Sequence, residues 1–219
     1  MSRHALLAGA SGLIGRHLLR RLLAEPRYER ISVLVRRPLT DPGLAAQPRL
    51  SQIVGDLDDL DALGDALRAD DVFCCLGTTR AKAGSREAFE QVDYELVLQL
   101  ARAARKAGSR QFLLVSAVGA NPDALAFYSR VKGRAECDLR RVGYASLHIL
   151  RPSLLLGSRD ESRPLEAIAQ RVAPYLNRML ARRLQHYRAV PADTVAAALL
   201  KAALADRPGV HVHEAPFEV

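Results

Sequence analysis

Cysteine is scarce in this chain: Cys74, Cys75 and Cys137 are all there is among 219 residues. Three thiols at that spacing make neither a disulfide framework nor a zinc site. Cys74 and Cys75 sit inside an apolar run and read as core thiols of a reducing cytoplasm. No apolar run approaches the ~20 residues a membrane-spanning helix needs. Met1-Ser2-Arg3-His4 leads straight into a first strand, so no signal peptide is expected. Lysine is the other scarcity, with four lysines against 28 arginines. That imbalance makes the net charge of +8 look like a compositional habit. The arginines are scattered rather than gathered into a run, so nucleic acid is not the expected partner. An anionic ligand accounts for part of the charge. No repeat, low-complexity stretch or linker divides the chain. Residues 1–219 are expected to form one α/β domain, with about 153–219 contributing a substrate lid.

What is present is a regular alternation of strand and helix through about residue 150. That pattern implies a doubly wound parallel sheet of Rossmann type. Strands are expected at 5–8, 31–35, 52–54, 72–76, 111–115 and 146–150, with a last short one at 210–213. Helices are expected at about 13–23, 58–69, 87–107, 124–142, 164–183 and 191–205, with Asp56 or Asp58 able to cap the second of these and Asp193 the last. Residues 80–86 read as a flexible basic loop.

The organising stretch is the first strand-to-helix turn. Gly9, Ser11, Gly12, Leu13, Ile14 and Gly15 follow an apolar run and open a helix whose apolar residues recur at helical spacing. Glycines let a backbone approach a pyrophosphate, and the free N–H groups and dipole of the helix start face its charge. The spacing is G-x-x-G-x-x-G, so its place at the head of a βαβ unit carries more than its letters.

Ligands of a doubly wound sheet bind at the carboxyl ends of the strands. The second strand ends about 21 positions after Gly15, where an NAD-binding chain would place a carboxylate on the ribose 2′-hydroxyl. Here Arg36 and Arg37 stand instead. Two guanidiniums suit a 2′-phosphate, so NADP(H) is the expected cofactor. The plainer alternative is two solvated arginines.

Tyr128 and Lys132 are spaced i, i+4 and share one helix face. A nearby ammonium favours the phenolate, which lets a tyrosine exchange a proton beside a carbonyl or alcohol. Lys132 is one of only four lysines, although a surface Tyr–Lys pair remains the bland reading. Ser116 ends the fifth strand just before this helix, where its hydroxyl is placed to hold a substrate oxygen. His211 and His213 share a strand face, but no further ligand completes a metal set and no metal is expected.

Together, Gly9-x-x-Gly12-x-x-Gly15, Ser116 and Tyr128-x-x-x-Lys132 resemble the short-chain dehydrogenase/reductase superfamily. The closer likeness is to its atypical, Tat-interacting-protein-like oxidoreductase branch. It is carried by the stretch from Cys74 to Gly84, by Tyr128 to Gly133 with Glu136, and by Arg151-Pro152 with Leu155-Leu156. The resemblance spans nearly the whole chain. It implies an NADPH-binding domain with Tyr128 as general acid/base, Lys132 on the nicotinamide ribose, and Ser116 holding the substrate oxygen. It also implies Asp56 and Leu57 around the adenine, Leu76, Gly77 and Thr78 along the cofactor, and residues after Pro152 near the carboxamide. Many members carry Asn where this chain has Gln91-Val92-Asp93, which leaves the family's proton relay without its Asn.

The expectation is therefore an NADPH-dependent oxidoreductase acting on a small carbonyl or alcohol. The alternative is an NADPH-binding sensor or regulatory partner with little turnover, and retention of Ser, Tyr and Lys together favours the enzyme. Epimerase or dehydratase chemistry uses the same triad with NAD, and Arg36 and Arg37 count against it. Neither the substrate nor the oligomeric state is legible.

Overall fold

The computed structural model describes residues 2–55, 57, 60–153, 155–156 and 189–217. Among them one parallel sheet carries seven strands: β1 Arg3–Ala8, β2 Tyr28–Val35, β3 Leu50–Val54, β4 Asp71–Cys74, β5 Gln111–Val115, β6 Ser146–Arg151 and β9 Gly209–Glu214. Two further short strands, β7 Leu155–Leu156 and β8 Val190–Pro191, pair in parallel with each other. The sheet order is β3-β2-β1-β4-β5-β6-β9. The direction of winding reverses between β1 and β4, and such a switch point opens a crevice at the strand ends.

Alternation along the strands builds a core on each face. Ala5 and Leu7 of β1 face the layer formed by α1 (Leu13–Ala24) and α7 (Ala192–Leu204), where Leu18, Leu22, Val195 and Leu199 are buried. Leu6 and Ala8 face α5 (Leu96–Lys106) and α6 (Phe127–Arg140), among Leu100, Ala104 and Leu139. Each fully buried leucine contributes roughly 1.5–3 kcal/mol, so these two layers hold the turn between β1 and α1 in place.

Most expected elements are present, and the exceptions have physical causes. The helix expected over 58–69 is a 3₁₀ turn, Asp61–Leu67, interrupted at Gly64 with φ of 47°. Residues 80–86 are not simply loop. Thr79 accepts from Lys82 N–H to start α3 (Arg80–Ala83), and Ser85 accepts from Ala88 N–H to start α4 (Arg86–Glu90). The long helix then passes through a π turn, Gln91–Glu95, before α5. A short α2, Pro42–Ala45, is capped by Asp41. Asp193 is not the cap of α7, which starts after Pro191; its carboxylate instead takes two hydrogen bonds from Arg21, at 2.9 and 2.7 Å.

The described part of the expected lid belongs to the main body, since α7 packs on α1 and β9 pairs with β6. The helix expected over 164–183, and Asp56 and Asp58, lie outside the described residues. Among those described, no helix is long and apolar enough to cross a membrane.

Candidate active site

The glycine turn leaves no room for a side chain at Gly9 or Gly15. A Cβ on Gly15 would lie 2.0 Å from the Gly9 carbonyl oxygen, and one on Gly9 would lie 2.6 Å from the Cys75 backbone. Gly9 also has φ of +86°, and Gly12 N–H donates to its carbonyl at 3.0 Å. Helix α1 then starts with no side-chain cap and no acidic residue in its first turn. Its leading N–H groups and dipole are thus left for an external anion. This is the backbone a pyrophosphate needs, so the residues fit a dinucleotide.

Arg36 and Arg37 are exposed just beyond β2. They line a cleft of ≈ 640 Å³ together with Ser11, Val35, Pro38, Leu39 and Gly55. The cleft therefore joins the glycine turn to the end of the second strand. Leu57 does not line it. Its side chain is buried with Leu60 and Leu67, because an apolar side chain after the strand end gains more in the core than in an open cleft.

Tyr128 lies at the start of α6 and is 40% exposed, its ring packed on buried Phe89 with centroids 5.6 Å apart. Lys132, one turn on, is buried, and its Nζ lies 2.8 Å from Asp93 Oδ1. Asp93 comes from the π turn, and its Oδ2 accepts from Thr78 N–H at 2.8 Å. A Cβ on Gly77 would lie 3.7 Å from Lys132 Nζ, so the ammonium sits directly against the loop that follows β4. Burial pushes Lys132 down, but Asp93, with Tyr128 and Cys74 contributing, outweighs it and raises the pKa above the ordinary lysine value. Gly133 lets the loop after β5 press on α6, since a Cβ there would be 2.1 Å from the Asn121 backbone.

Ser116 is buried at the end of β5, and its hydroxyl donates to Glu136 Oε1 at 2.6 Å. Glu136 also takes two bonds from Arg151, at 3.0 and 2.6 Å. Spacing on α6 puts Glu136 one turn beyond Lys132, but nothing in the sequence shows that Ser116 is its partner. Leu76 is half-buried against the core, and buried Pro152 offers its carbonyl to Val118 N–H at 2.9 Å. The cysteines are free, and burial raises the Cys74 thiol to about 11. His211 and His213 gather with His148 of β6, whose Nδ1 lies 2.9 Å from His213 Nε2. Among the described residues no group is arranged to hold a metal ion.

Residues 9–206 match a family model described as NAD(P)H-binding. Protein fmp52-1, mitochondrial, of Aspergillus terreus is 37% identical over 203 residues, covering 90% of this chain and 86% of that protein. Protein HTATIP2 of Rattus norvegicus is 36% identical over 171 residues, covering 78% and 70%. Solved structures share the fold at lower identity. The UDP-Glc/GlcNAc 4-epimerase of Campylobacter jejuni has a TM-score of 0.72 at 20% identity, covering 98% of this chain and 80% of that one. MoeE5 in complex with UDP-glucose and NAD has a TM-score of 0.69 at 22% identity, covering 95% and 74%. The chain belongs to the NAD(P)H-binding family, as an atypical protein of the short-chain dehydrogenase/reductase type.

Proposed function

We propose that this protein is an NADPH-dependent oxidoreductase that moves hydride between the nicotinamide and a small carbonyl or alcohol. The observation that carries the reading is a buried, ion-paired Lys132 beside the loop that follows β4, one helical turn on from a partly exposed Tyr128. A purely binding protein has no use for a proton-handling tyrosine there. Gly9, Ser11, Gly12, Leu13, Ile14 and Gly15 hold the pyrophosphate, and Arg36 and Arg37 hold the 2′-phosphate. Leu76, Gly77, Thr78 and Pro152 flank the rest of the cofactor. When bound, the nicotinamide supplies or accepts the hydride.

Tyr128 gives a proton to the substrate oxygen in reduction and removes it in oxidation. Its partial exposure leaves the phenol open to substrate, while Phe89 fixes the ring. Lys132 stabilises the phenolate that results and binds the nicotinamide ribose. Ser116, whose own proton goes to Glu136 in the free protein, turns from Glu136 to donate to the substrate oxygen, which leaves an alcohol's proton for Tyr128. The three free thiols suit a reducing compartment such as the cytoplasm. The fungal relatives' mitochondrial names make cell fractionation the experiment that assigns it.

Cofactor titration by calorimetry and turnover of an aldehyde, ketone and quinone panel test the reading. Hydrogen bonds to charged groups contribute ~1.5–3 kcal/mol each, so NADPH is expected to bind at least about tenfold tighter than NADH. Arg36→Asp erases that preference. Tyr128→Phe abolishes NADPH oxidation and leaves its affinity nearly unchanged. Equal affinities sink the NADPH assignment, and a native protein that turns over none of the panel favours the sensor reading.

A further inference from the structure

Asp93 is among the most deeply buried charged groups described, at 1% exposure, and its one ion-pair partner there is Lys132 at 4%. The two belong to different helices. Asp93 reaches inward because the chain makes a π turn over Gln91–Glu95, where an extra residue per turn rotates a side chain off the face an α-helix would give it. One carboxylate oxygen is fixed by Thr78 N–H and the other faces the ammonium, with the Gly77 backbone leaving room for both.

We propose that Asp93 is a positioning residue, which keeps the Lys132 ammonium charged and aimed at the Gly77–Thr78 backbone for its work with Tyr128. The inference rests on the reading of Tyr128 and Lys132 as the proton-handling pair. A buried ammonium without a counter-charge is driven toward its neutral form by desolvation. Three ionisable groups face Lys132: Asp93 from the π turn, Tyr128 from α6 itself, and Cys74 from β4. Burial keeps the Cys74 thiol protonated at neutral pH, so it supplies no charge there. Asp93 is the carboxylate among the three, and of the groups that oppose the desolvation it contributes most.

The scarcity of lysine makes the test direct. With only four lysines in the chain, ¹³Cε-lysine labelling gives four resonances, and Lys82, Lys106 and Lys201 are exposed references. Lys132 is expected to titrate above those three in the native protein. In Asp93→Asn, which keeps an acceptor for Thr78 N–H, it is expected to titrate at least one pH unit lower than in the native protein. An unmoved Lys132 titration overturns the proposal. In turnover, the alkaline limb of kcat against pH should move to lower pH in Asp93→Asn together with the lysine titration, with rate regained as the pH falls below it and the lysine recharges. A merely structural role would not move that limb.

If Asp93→Asn does not fold, Lys132→Met is compared with the double variant Asp93→Asn/Lys132→Met. The double variant should melt higher, because it removes the stranded carboxylate, and equal midpoints overturn the pairing. A native protein without turnover defeats the oxidoreductase reading alone, since the lysine titration needs no substrate.

Discussion

At the scale of single residues the site depends on which cation stands at position 132. In a chain with 28 arginines, Arg is the expected choice wherever any cation serves. Lys132 is buried in a space bounded by Asp93 Oδ1 at 2.8 Å and the Gly77 backbone. A compact ammonium fits there, whereas a planar guanidinium is larger and has fixed donor directions. Lys132→Arg is therefore expected to cost about 1–3 kcal/mol of stability through overpacking and most of the activity. Urea denaturation and kcat against pH check both, and a native rate with an unshifted profile would remove the Tyr–Lys pair from the mechanism. Tyr128 and Lys132 were legible because i, i+4 spacing on a helix is fixed geometry. Asp93 was not legible as their partner, since the π turn that aims it has no spacing signal. Ser116 and Glu136 show the same limit: both residues were visible, but their 2.6 Å contact crosses from a strand end to a helix face.

At the scale of elements, the strand–turn–helix that opens the chain was readable in full, and close approach explains why. Gly15 lies so near the Gly9 carbonyl that a methyl group has no space, at 2.0 Å. Gly15→Ala must push α1 away from β1, and with it the helix start that faces the pyrophosphate. The expected outcome is at least a tenfold loss in NADPH affinity by calorimetry and a lowered thermal midpoint. Native affinity with a native melting curve would mean that the turn adapts and the cradle is not there. Elements without such constraint were read less well. Asp61–Leu67 has helical composition but carries Gly64 at φ of 47°, which no residue count announces. Conversely, Thr79 is an ordinary capping residue, and the four-residue helix it starts was hidden by its short length, whereas Ser85 caps the helix expected from about residue 87. Strand β9 was placed correctly, but its pairing with β6 puts the end of the chain in the sheet.

For the whole molecule, the first residues of five strands meet in one network at the amino ends of the strands, opposite the site. Tyr28 donates to Asp71 Oδ2 at 2.6 Å, Arg3 lies 3.2 Å from the same oxygen, and Gln111 donates to Asp71 Oδ1 at 2.9 Å. Ser146 closes the row by donating to Gln111 at 2.8 Å. Burial raises Asp71 from 3.8 to about 6, against the pull of Tyr28 and Arg3. Burial, with His213, His211 and Arg207 nearby, lowers His148 from 6.5 to about 4.

The two groups act on stability in opposite directions over nearly the same range. Between about pH 6 and 4 the native state keeps a proton on Asp71 that the unfolded chain has released, so acidification stabilises the fold. Between about pH 6.5 and 4 the unfolded chain binds a proton at His148 that the native state refuses, so acidification destabilises it. Each shift corresponds to about 3 kcal/mol at most. His213, also lowered by burial, adds to the histidine side. The carboxylates lowered by surface arginines, Glu25 and Asp193, act mainly below this range.

His4, lowered by burial and Arg30, stands on the histidine side too, so the native protein is expected to lose unfolding free energy between pH 6.5 and 4.5, by less than the histidines alone would take, and each substitution changes that slope. His148→Gln should hold its stability better than the native protein as the pH falls across that range, by about 2 kcal/mol, because only His213 and His4 then oppose Asp71. Asp71→Asn should lose a similar amount, because the histidines then act alone. Urea denaturation of the three proteins at pH 6.5, 5.5 and 4.5 reads the slopes directly. Three parallel pH dependences would show that neither group titrates in the buried state that the structure gives it.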